Sequence, residues 1–485
     1  MAHQLEALRR MENRRTYALF MEQGTGKTWT LLADVERLYL AGKIDAVLVL
    51  APKGVHRNWI DREIPAHMEA EVIARAWRSG GGKKVRAHID QIMTPREHGA
   101  VVPLRVMSMN FEAVLTKEGY AFAQSFLRAT KAIMILDEST RIKNPAAART
   151  KQIMKLRHMA TGARIATGTP VTNAPVDIFS QMEFLASGLL GTTSYRAFVA
   201  EYAELLNPNH PLMKNIQQRN PRAAAAQIIA KNADGSPKWR NLHKLQELLE
   251  PHSYRVLKKD CLDLPDKIYK THPFEIDAAQ RKAYELMRDD LRIQIEGGEI
   301  APVNALAALV KLQQITSGFV ILPGTTELQV VGDGNPRLDA LDDLVEDLSG
   351  QFIVWARFRQ EIVHVAARLR KLGLRVAEYH GGVNTADREE AVDGFQRGEV
   401  DVFVGQPQSG GIGLTLTNAE TVIYYSNDFN LETRLQSEDR AHRIGTKKNV
   451  VYIDLIAAET IDESIVRALQ RKTDVAANVL GDLRA

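Results

Sequence analysis

The stretch that decides the fold lies near the start of the chain, at residues 17–28, YALFMEQGTGKT. An apolar run comes first, and the last five residues are Gly-Thr-Gly-Lys-Thr. Glycines let a backbone wrap around an anion, because a Cβ there would block the turn, and the amides at the start of a following helix point at the same anion. The stretch therefore predicts a strand, a phosphate-binding loop and a helix, with Lys27 on the phosphates and Thr28 on Mg²⁺.

The match to the strict phosphate-loop pattern is imperfect. That pattern has a glycine at the position where this chain has Met21. If the loop is considered by itself, an ordinary glycine-containing turn is the alternative to a nucleotide site.

A pair of carboxylates, Asp137 and Glu138, follows an apolar run about 110 residues after the loop. A carboxylate at the end of a strand can hold Mg²⁺ through water, and its neighbour can orient an attacking water. By itself such a pair is more typical of a solvated strand end. Together with the phosphate loop upstream, it indicates a site that hydrolyses a nucleotide.

Short apolar runs that alternate with helical stretches occur in two sets. The first set is at residues 46–52, 104–110, 132–138 and 163–170, and the second is at 352–357, 375–381, 401–406, 421–426 and 450–456. Strands that alternate with helices favour parallel α/β sheets. We therefore predict an α/β fold with two parallel-sheet lobes and helical insertions between them. The predicted ranges are 1–186 for lobe 1, 187–265 and 266–335 for the insertions, and 336–485 for lobe 2 with a C-terminal helix.

The composition excludes several classes of protein. Of 485 residues, 45% are hydrophobic and 25% are charged, as in ordinary globular proteins. The net charge of +4 is small, so contact with a polyanion must come from local basic patches. Cys261 is the single cysteine, which excludes an intrachain disulfide and a thiolate metal cage. The lack of disulfides fits a reducing, intracellular setting, so we expect a cytoplasmic protein. No stretch approaches about 20 uninterrupted apolar residues, so we expect a soluble protein without a membrane partner.

Further short motifs follow one another in a definite order along the chain. In the front half they are residues 3–4 (HQ), the phosphate loop, 51–53 (APK) with Trp59, 137–144 (DESTRIKN), and 167–170 (TGTP) with Asn173. In the back half they are 254–258 (YRVLK), 264–267 (LPDK), 379–382 (YHGG), 410–416 (GGIGLTL) and 436–445 (QSEDRAHRIG). This series resembles the motifs of the Swi/Snf-type DNA translocases, a branch of the superfamily-two helicase-like ATPases, and especially their compact phage and bacterial members. The resemblance spans nearly the whole chain.

The resemblance implies two RecA-like lobes that flank an ATP cleft, with ATP and Mg²⁺ bound there. The implied catalytic residues are Lys27, Asp137, Glu138, Gln436, Arg440 and Arg443. The implied nucleotide-binding residues are Gln4, Gly24, Thr25, Gly26, Lys27, Thr28 and Gly413, and the implied metal ligands are Thr28 and Asp137. The two arginines would reach the γ-phosphate when the cleft closes. The alternative for them is a surface pair that binds the nearby acids Glu438 or Asp439.

Contacts with nucleic acid are also implied by the resemblance. They place Lys53, Asn110, Arg357 and Gly411 near a phosphate backbone, where binding carries no sequence information. The segment between residues 206 and 245 has seven basic residues against one acid. We expect it to lie over the duplex through Lys214, Arg219 and Arg222, with a solvated helical face as the alternative.

The sequence departs from the family pattern at three points. Residues 406–409 are QPQS where family members often have Ser-Thr-Arg/Lys-Ala, which removes a basic side chain and puts the usual backbone contact there in doubt. The Asp-Trp-Asn-Pro segment of the family is DFNL at residues 428–431, and Thr446 replaces a common glutamine. None of these changes concerns a residue that handles phosphate.

The expected function is ATP-driven translocation on double-stranded DNA, with displacement of bound proteins or remodelling of DNA structures. A strand-separating helicase on DNA or RNA is the second hypothesis, and a non-catalytic nucleic-acid-binding scaffold is the third. Asp-Glu-Ser-Thr at 137–140, in place of Asp-Glu-Ala-Asp, favours translocation, and the intact phosphate-handling residues argue against a scaffold. We expect double-stranded DNA as partner, a targeting protein as a further partner, a monomer, and the cytoplasm of a bacterial or phage-infected cell.

Overall fold

The computed structural model describes most of the chain. The described residues are 1–53, 55–80, 87, 89, 91–93, 103–207, 209–210, 213–214, 227–297, 302–322, 324, 327–408 and 414–482. Four residues predicted to bind nucleotide or nucleic acid lie outside them: Arg219, Arg222, Gly411 and Gly413. The chain divides into two compact units, Met1–Leu262 with Lys472–Ala485 (unit 1) and Asp263–Arg471 (unit 2).

Unit 1 is built on a seven-stranded parallel sheet with the strand order β3-β4-β2-β5-β6-β1-β7. Its strands are β1 (Thr16–Met21), β2 (Ala46–Ala51), β3 (Val72–Ala76), β4 (Leu104–Asn110), β5 (Ala132–Asp137), β6 (Gly162–Ala166) and β7 (Ser253–Val256). Every residue of β2, β5 and β6 is buried, as expected for strands that are covered on both faces of the sheet.

Helices cover both faces of this sheet. They are α1 (Ala2–Met11), α2 (Lys27–Leu40), α3 (Val55–Asn58), α4 (Ile64–His67), α5 (Lys117–Ala129), α6 (Ala148–Arg157), α7 (Phe179–Leu185), α8 (Tyr195–Tyr202), α9 (Leu242–Leu249) and α10 (Lys258–Cys261). Successive side chains of a strand point to opposite faces. Accordingly, Leu48 of β2 packs in one core cluster, and Val47 and Val49 pack in the other.

Unit 2 is built on a six-stranded parallel sheet with the order β12-β13-β11-β14-β15-β8. Its strands are β8 (Lys267–Phe274), β11 (Phe352–Trp355), β12 (Val376–Tyr379), β13 (Val402–Gly405), β14 (Thr421–Tyr424) and β15 (Val450–Ala457). A separate antiparallel pair is formed by β9 (Phe319–Ile321) and β10 (Leu328–Val330). The helices are α11 (Ala278–Gly297), α12 (Pro302–Thr316), α13 (Pro336–Glu346), α14 (Arg359–Lys371), α15 (Thr385–Gln396), α16 (Leu431–Ala441) and α17 (Ile461–Leu480).

The predicted fold class, α/β with two parallel-sheet lobes, is confirmed. All nine apolar runs quoted from the sequence contain a strand. The predicted helical insertions, 187–265 and 266–335, also contain the strands β7, β8, β9 and β10, and none of these strands nor β3 lies in an apolar run quoted from the sequence. Strand β8 lies at the edge of its sheet and most of its residues are exposed or half-exposed, so its sequence, KIYKTHPF, has no apolar run to detect.

The end of the chain belongs to unit 1. Helix α17 begins in unit 2, and the division between the units falls at Lys472 within this helix. Val479 is fully buried in the same core cluster as Leu245 and Leu249 of α9. Asp482 forms a bidentate ion pair with Arg255, with distances of 2.9 and 2.7 Å. The four ranges predicted from the sequence stay a prediction, because this division defines compact units and not insertions.

Candidate active site

The phosphate loop joins the carboxyl end of β1 to the first turn of α2. Gly24 and Gly26 both have φ of +87°, a conformation that L side chains rarely adopt. A Cβ at Gly26 would lie 2.1 Å from Nε2 of Gln4. The loop therefore requires glycine at this position for two reasons, its backbone conformation and the close approach of helix α1.

The imperfect position in the loop pattern has a structural explanation. Met21 is the last residue of β1, fully buried and packed with Leu19 and Val49 in the core. It thus contributes a side chain to the core of the sheet, and the turn begins after it.

Lys27 and Thr28 form the start of α2, and the loop residues ahead of them are tightly held. Lys27 Nζ donates to the carbonyl oxygens of Met21 at 3.0 Å and Glu22 at 3.3 Å. Thr25 is buried, and its hydroxyl donates to the same Glu22 carbonyl at 2.7 Å. The ammonium therefore lies against the loop itself, and the Thr28 side chain is half-exposed on the first helical turn.

Helix α1 supports the loop from behind. His3 Nε2 donates to the Thr25 carbonyl at 2.8 Å, and Gln4 Nε2 lies 3.5 Å from the Gly26 carbonyl oxygen. The structure thus brings Gln4, one of the residues predicted to bind the nucleotide, into contact with the phosphate loop.

Asp137 ends β5 and is buried, with its Oδ2 accepting a hydrogen bond from Trp59 Nε1 at 2.9 Å. Burial, followed by the negative charge of Glu138, raises the pKa of Asp137 from 3.8 to about 6, and the Lys27 ammonium acts in the opposite direction. A divalent cation beside this carboxylate would relieve the cost of its buried charge. The site therefore fits Mg²⁺ held by Asp137, by the Thr28 hydroxyl and by phosphate oxygens.

We also considered whether protein side chains could hold a metal ion without a nucleotide. Within the described ranges, no group of three or more His, Cys, Asp and Glu side chains is placed to hold a metal ion. Mg²⁺ commonly binds one or two carboxylates together with substrate phosphates.

Glu138 has a left-handed backbone, with φ of +60° and ψ of +62°, which is unusual for a residue with a side chain. Its Oε2 accepts a hydrogen bond from the Thr167 hydroxyl at 3.0 Å. Gly168 follows, and a Cβ on it would lie 3.2 Å from the Gln23 nitrogen. Since β1, β5 and β6 are parallel neighbours, their carboxyl ends bring the loop, the two carboxylates and residues 167–170 to one edge of the sheet.

Replacing Asp137 with asparagine is expected to stabilise the nucleotide-free protein while removing a metal ligand. The folded-state pKa of about 6 exceeds the unfolded value of 3.8. The ionised carboxylate therefore costs stability above pH 6, and this cost is lost as the pH falls toward the unfolded value. We expect Asp137→Asn to raise the free energy of unfolding by about 1–3 kcal/mol near neutral pH, with the gain vanishing by about pH 4.

Denaturant unfolding at a series of pH values measures this effect. The exposed Glu12→Gln substitution, which removes the same charge far from the site's strand ends, serves as the control. A gain that does not depend on pH, or a loss of stability at neutral pH, would contradict the prediction.

In unit 2, the predicted arginines lie at the end of helix α16 and just beyond it. Arg440 is 1% exposed, and Gln436 is half-buried one turn earlier. Arg443 is half-buried, and its Nη1 donates to the Leu414 carbonyl at 3.3 Å and to the Thr415 hydroxyl at 3.0 Å. Arg443 is therefore hydrogen-bonded to the two residues that directly follow the glycine-rich stretch 410–413.

The two acids proposed as alternative partners of these arginines have other cationic partners. Lys267 of β8 lies 3.1 Å from Glu438 Oε2 and 3.5 Å from Asp439 Oδ1. Arg434 donates to Glu438 Oε1 at 2.8 Å, and Tyr269 donates to Oε2 at 2.7 Å. Lys267 and Arg434 hold the pKa of Glu438 down to about 2 despite its burial.

This buried network was not predicted from the sequence as a unit. Arg434 also pairs with Asp454 of β15 and lies over the Tyr424 ring at 3.5 Å. His442 donates from Nε2 to the Pro265 carbonyl at 2.6 Å, so residues 264–267 contact the 436–445 motif directly. The spacing of four between Arg434 and Glu438 on a helix was an available signal, but the contribution of β8 depends on sheet topology.

Replacing Lys267 with methionine is expected to lower the free energy of unfolding by about 2 kcal/mol, because it leaves buried carboxylates short of a cation. Chemical denaturation measures the loss. The Lys267→Met/Glu438→Gln double variant is the matched control and should recover part of the stability, since the charge left behind is then removed as well. If the double variant loses as much stability as Lys267→Met alone, or more, a direct coupling between the two residues is contradicted.

The residues predicted to contact nucleic acid are distributed over both units. Lys53 is exposed two residues after β2, and Asn110 ends the neighbouring strand β4, where it accepts from the Ala113 amide at 2.8 Å. Arg357 follows β11, hydrogen-bonds Gln313 and lies over the Phe358 ring at 5.3 Å. Burial lowers the pKa of Arg357.

The excess of positive charge in the basic segment, residues 206–245, is smaller in the structure than in the sequence. Lys214 is exposed. Lys238 pairs with Glu204 at 3.1 Å, and Lys244 pairs with Glu201 at 2.6 Å. Both acids lie just ahead of residue 206, so they were left out of the count although the fold brings them back to the segment.

Comparison with known families then places the chain. A model described as the SNF2-related domain matches residues 3–318, and a model described as the helicase conserved C-terminal domain matches residues 336–445. The chain belongs to the SNF2-related family. Together the two matches class this SNF2-related chain among the nucleic-acid-dependent, helicase-like ATPases, and they include the phosphate loop, Asp137, Glu138 and the 436–445 motif.

Several curated proteins are similar to this SNF2-related chain over most of its length. The SWI/SNF chromatin-remodeling complex subunit snf22 of Schizosaccharomyces pombe is 24% identical over 95% of this chain and 26% of its own length. YwqA of Bacillus subtilis, provisionally named an ATP-dependent helicase/translocase, is 26% identical over 93% of this chain and 45% of its own length. The chain thus spans less than half the length of these relatives. The SWI2/SNF2 ATPase core of Sulfolobus solfataricus in complex with dsDNA is 20% identical over 99% of this chain and 92% of that one, with a TM-score of 0.39.

Among the described residues, no helix is both long enough and apolar enough to cross a bilayer.

Proposed function

We propose that this chain is an ATP-driven motor that translocates on double-stranded DNA and remodels or displaces what is bound there. The observation that carries the proposal is the grouping of Lys27, Asp137 and Glu138 at one edge of the unit 1 sheet, in a chain that belongs to the SNF2-related family. Relatives named for chromatin remodelling and for helicase/translocase activity support it.

ATP would be held mainly by residues of the phosphate loop. The amides of residues 24–28 and the start of α2 favour an anion, and Lys27 exchanges its contacts with the Met21 and Glu22 carbonyls for phosphate oxygens. Gln4, which already lies against Gly26, would bind the base. When bound, Mg²⁺ neutralises charge on the phosphates, and Thr28 and Asp137 are the residues that would hold it.

Glu138 would act on the water that attacks the terminal phosphate. Its left-handed backbone and its hydrogen bond from Thr167 fix where the carboxylate points. A carboxylate fixed beside the phosphate site can accept a proton from water. Thr167 belongs to residues 167–170, which approach the phosphate loop at Gly168. A change in the phosphate loop on nucleotide binding can therefore be transmitted to Thr167 and to the Glu138 carboxylate.

Arg440, Arg443 and Gln436 would supply the positive charge and hydrogen bonds that favour the transition state. Arginine keeps its charge at any relevant pH and offers a planar set of donors. Charge on the transferred phosphoryl group is spread over its oxygens, so guanidinium groups that arrive in the hydrolysing state stabilise it selectively. Gly413, which lies outside the described residues, would belong to the same set.

DNA would be gripped through its phosphates. The exposed Lys53, with Asn110 at the next strand end, forms one candidate contact in unit 1, and Arg357 with Gly411 forms another in unit 2. Lys214, Arg219 and Arg222 would add electrostatic contacts from the basic segment. Such binding falls steeply with salt and does not select sequence. A targeting protein would then choose the site of action, and we propose that the motor itself works as a monomer.

A strand-separating helicase is the second candidate. The helicase conserved C-terminal domain match and the name of the Bacillus subtilis relative favour it. The Asp-Glu-Ser-Thr motif at 137–140, by contrast, resembles that of the translocases.

One comparison of substrates separates the candidates. The ATPase rate is measured with double-stranded DNA, single-stranded DNA and RNA, together with displacement of a triplex-forming strand and unwinding of a forked duplex. We expect stimulation by duplex DNA and ATP-dependent triplex displacement without unwinding, both lost in Lys27→Ala. Stimulation by RNA alone, or efficient unwinding, would contradict translocation on duplex DNA.

A further inference from the structure

A cavity of about 370 Å³ opens on unit 1 at the edge of the sheet where the strands begin. Arg15 directly precedes β1 and Thr161 directly precedes β6, and both line this cavity. The phosphate loop follows the other end of β1. A six-residue strand is roughly 17–20 Å long, so the cavity is separate from the nucleotide site. Its volume falls in the range of about 300–1,000 Å³ that is typical of small-molecule sites.

The rim of this cavity is cationic. Arg14, Arg15 and Lys43 line it and are exposed. Among the residues that the structure describes, no carboxylate oxygen lies within 4.0 Å of a side-chain nitrogen of these three residues. Their charges are therefore not neutralised locally, although many other arginines of the chain pair with acids.

The two arginines are held in place by the surrounding backbone. Arg15 Nε and Nη2 both donate to the Thr161 carbonyl, at 3.1 and 2.8 Å, and Arg14 Nη1 donates to the Pro251 carbonyl at 2.6 Å. Below them, Arg164 donates to the carbonyls of both arginines at 3.0 Å. A guanidinium that is already oriented loses less entropy when it binds an anion.

The support under the rim is itself rigid. Arg164 is 1% exposed and pairs with the fully buried Asp34 at 2.8 Å. Gly162 permits the close approach, since a Cβ there would lie 2.5 Å from the Arg15 carbonyl oxygen. This buried pair fixes the backbone of the rim and is not itself available to a ligand.

The floor of the cavity is apolar. Leu38 of α2 and the two isoleucines Ile44 and Ile133 line it. An apolar floor with a few convergent polar groups is the usual composition of a site for an organic ligand.

We propose that this cavity binds a small organic anion. Its flat apolar or aromatic body would lie on Leu38, Ile44 and Ile133, and its phosphate, sulfonate or carboxylate group would lie among the rim cations Arg14, Arg15 and Lys43. The fork of N–H groups on arginine suits such oxyanions, and the bonds are charge-assisted. The site does not depend on the proposed motor function.

The test uses 8-anilinonaphthalene-1-sulfonate, an aromatic sulfonate whose fluorescence rises in an apolar site, with the full chain. N-phenyl-1-naphthylamine, which lacks the sulfonate, is the uncharged comparison. We expect one saturable site for the sulfonate, with affinity reduced about tenfold in Arg15→Ala/Lys43→Ala, unchanged in Lys27→Ala, and little change for the uncharged probe.

The matched control is Arg128→Ala/Lys131→Ala, which removes the same charge from exposed residues that do not line the cavity. Lys43→Ala alone removes no hydrogen bond to the backbone, and we expect it to lower the affinity less than the double variant does. This single variant tests the site even if the loss of Arg15 affects folding. An equal loss in the control, no loss in Arg15→Ala/Lys43→Ala, or strong sulfonate binding that requires Lys27 would overturn the proposal.

Discussion

Replacing Glu138 with glutamine is expected to lower the steady-state ATPase rate by at least about 100-fold while nucleotide binding persists. The carboxylate is the proposed proton acceptor for the attacking water, and an amide cannot take a proton. The substitution changes little else, since the amide oxygen can still accept the hydrogen bond that Thr167 donates at 3.0 Å. A steady-state phosphate-release assay with saturating duplex DNA measures the rate.

Binding of a fluorescent nucleotide is measured in parallel and should stay within about threefold of the unmodified chain, because Lys27 and the loop are intact. Lys27→Ala is the informative comparison, since it should weaken both binding and hydrolysis. A Glu138→Gln variant that hydrolyses ATP at the original rate would remove this residue from the mechanism.

Replacing Arg443 with alanine is expected to lower the ATPase rate by about 1,000-fold, the scale found for arginines that stabilise phosphoryl transfer. The side chain is half-buried, and its Nη1 donates to one carbonyl and one hydroxyl, so those two partners do not offset its charge. Arg443→Lys should recover little activity, because a lysine ammonium cannot reproduce the planar set of donors.

Lys447→Ala is the matched control, since it removes a positive charge from an exposed residue close by in the sequence. Its ATPase rate should stay near that of the unmodified chain. Nucleotide binding to the Arg443 variant should also persist, because the loop residues are untouched. If Arg443→Ala and Lys447→Ala slow hydrolysis equally, Arg443 has no specific role in the transition state.

Much of the fold followed from the sequence because parallel strands that are covered on both faces are continuous apolar runs. Strands β2 and β5 are buried at every residue and were found within one or two residues of their ends. Strand β8 could not be found in this way, since its position at the exposed edge of the sheet leaves its apolar residues interrupted by charged and polar ones. Its place in the sheet is determined by pairing with β15, which no local pattern encodes.

The nucleotide site was predictable at the level of residue type, because phosphate chemistry restricts which residues can serve. The raised pKa of Asp137 was not predictable, since its largest cause is burial in the folded protein. No sequence pattern indicated the left-handed backbone of Glu138. The same holds for Lys267, whose partners are about 170 residues away. The family assignment is confirmed, whereas the individual site residues stay a prediction that the variants above test.

The position of Val479 in the core of unit 1 has a practical consequence for dissecting this enzyme. A fragment that stops at Leu262 would lack the Val479 side chain and so leave a cavity beside Leu245 and Leu249. It would also leave Arg255 without its ion-pair partner, Asp482. Expression of unit 1 by itself therefore calls for residues Lys472–Ala485 to be supplied as a separate peptide or fused through a short linker.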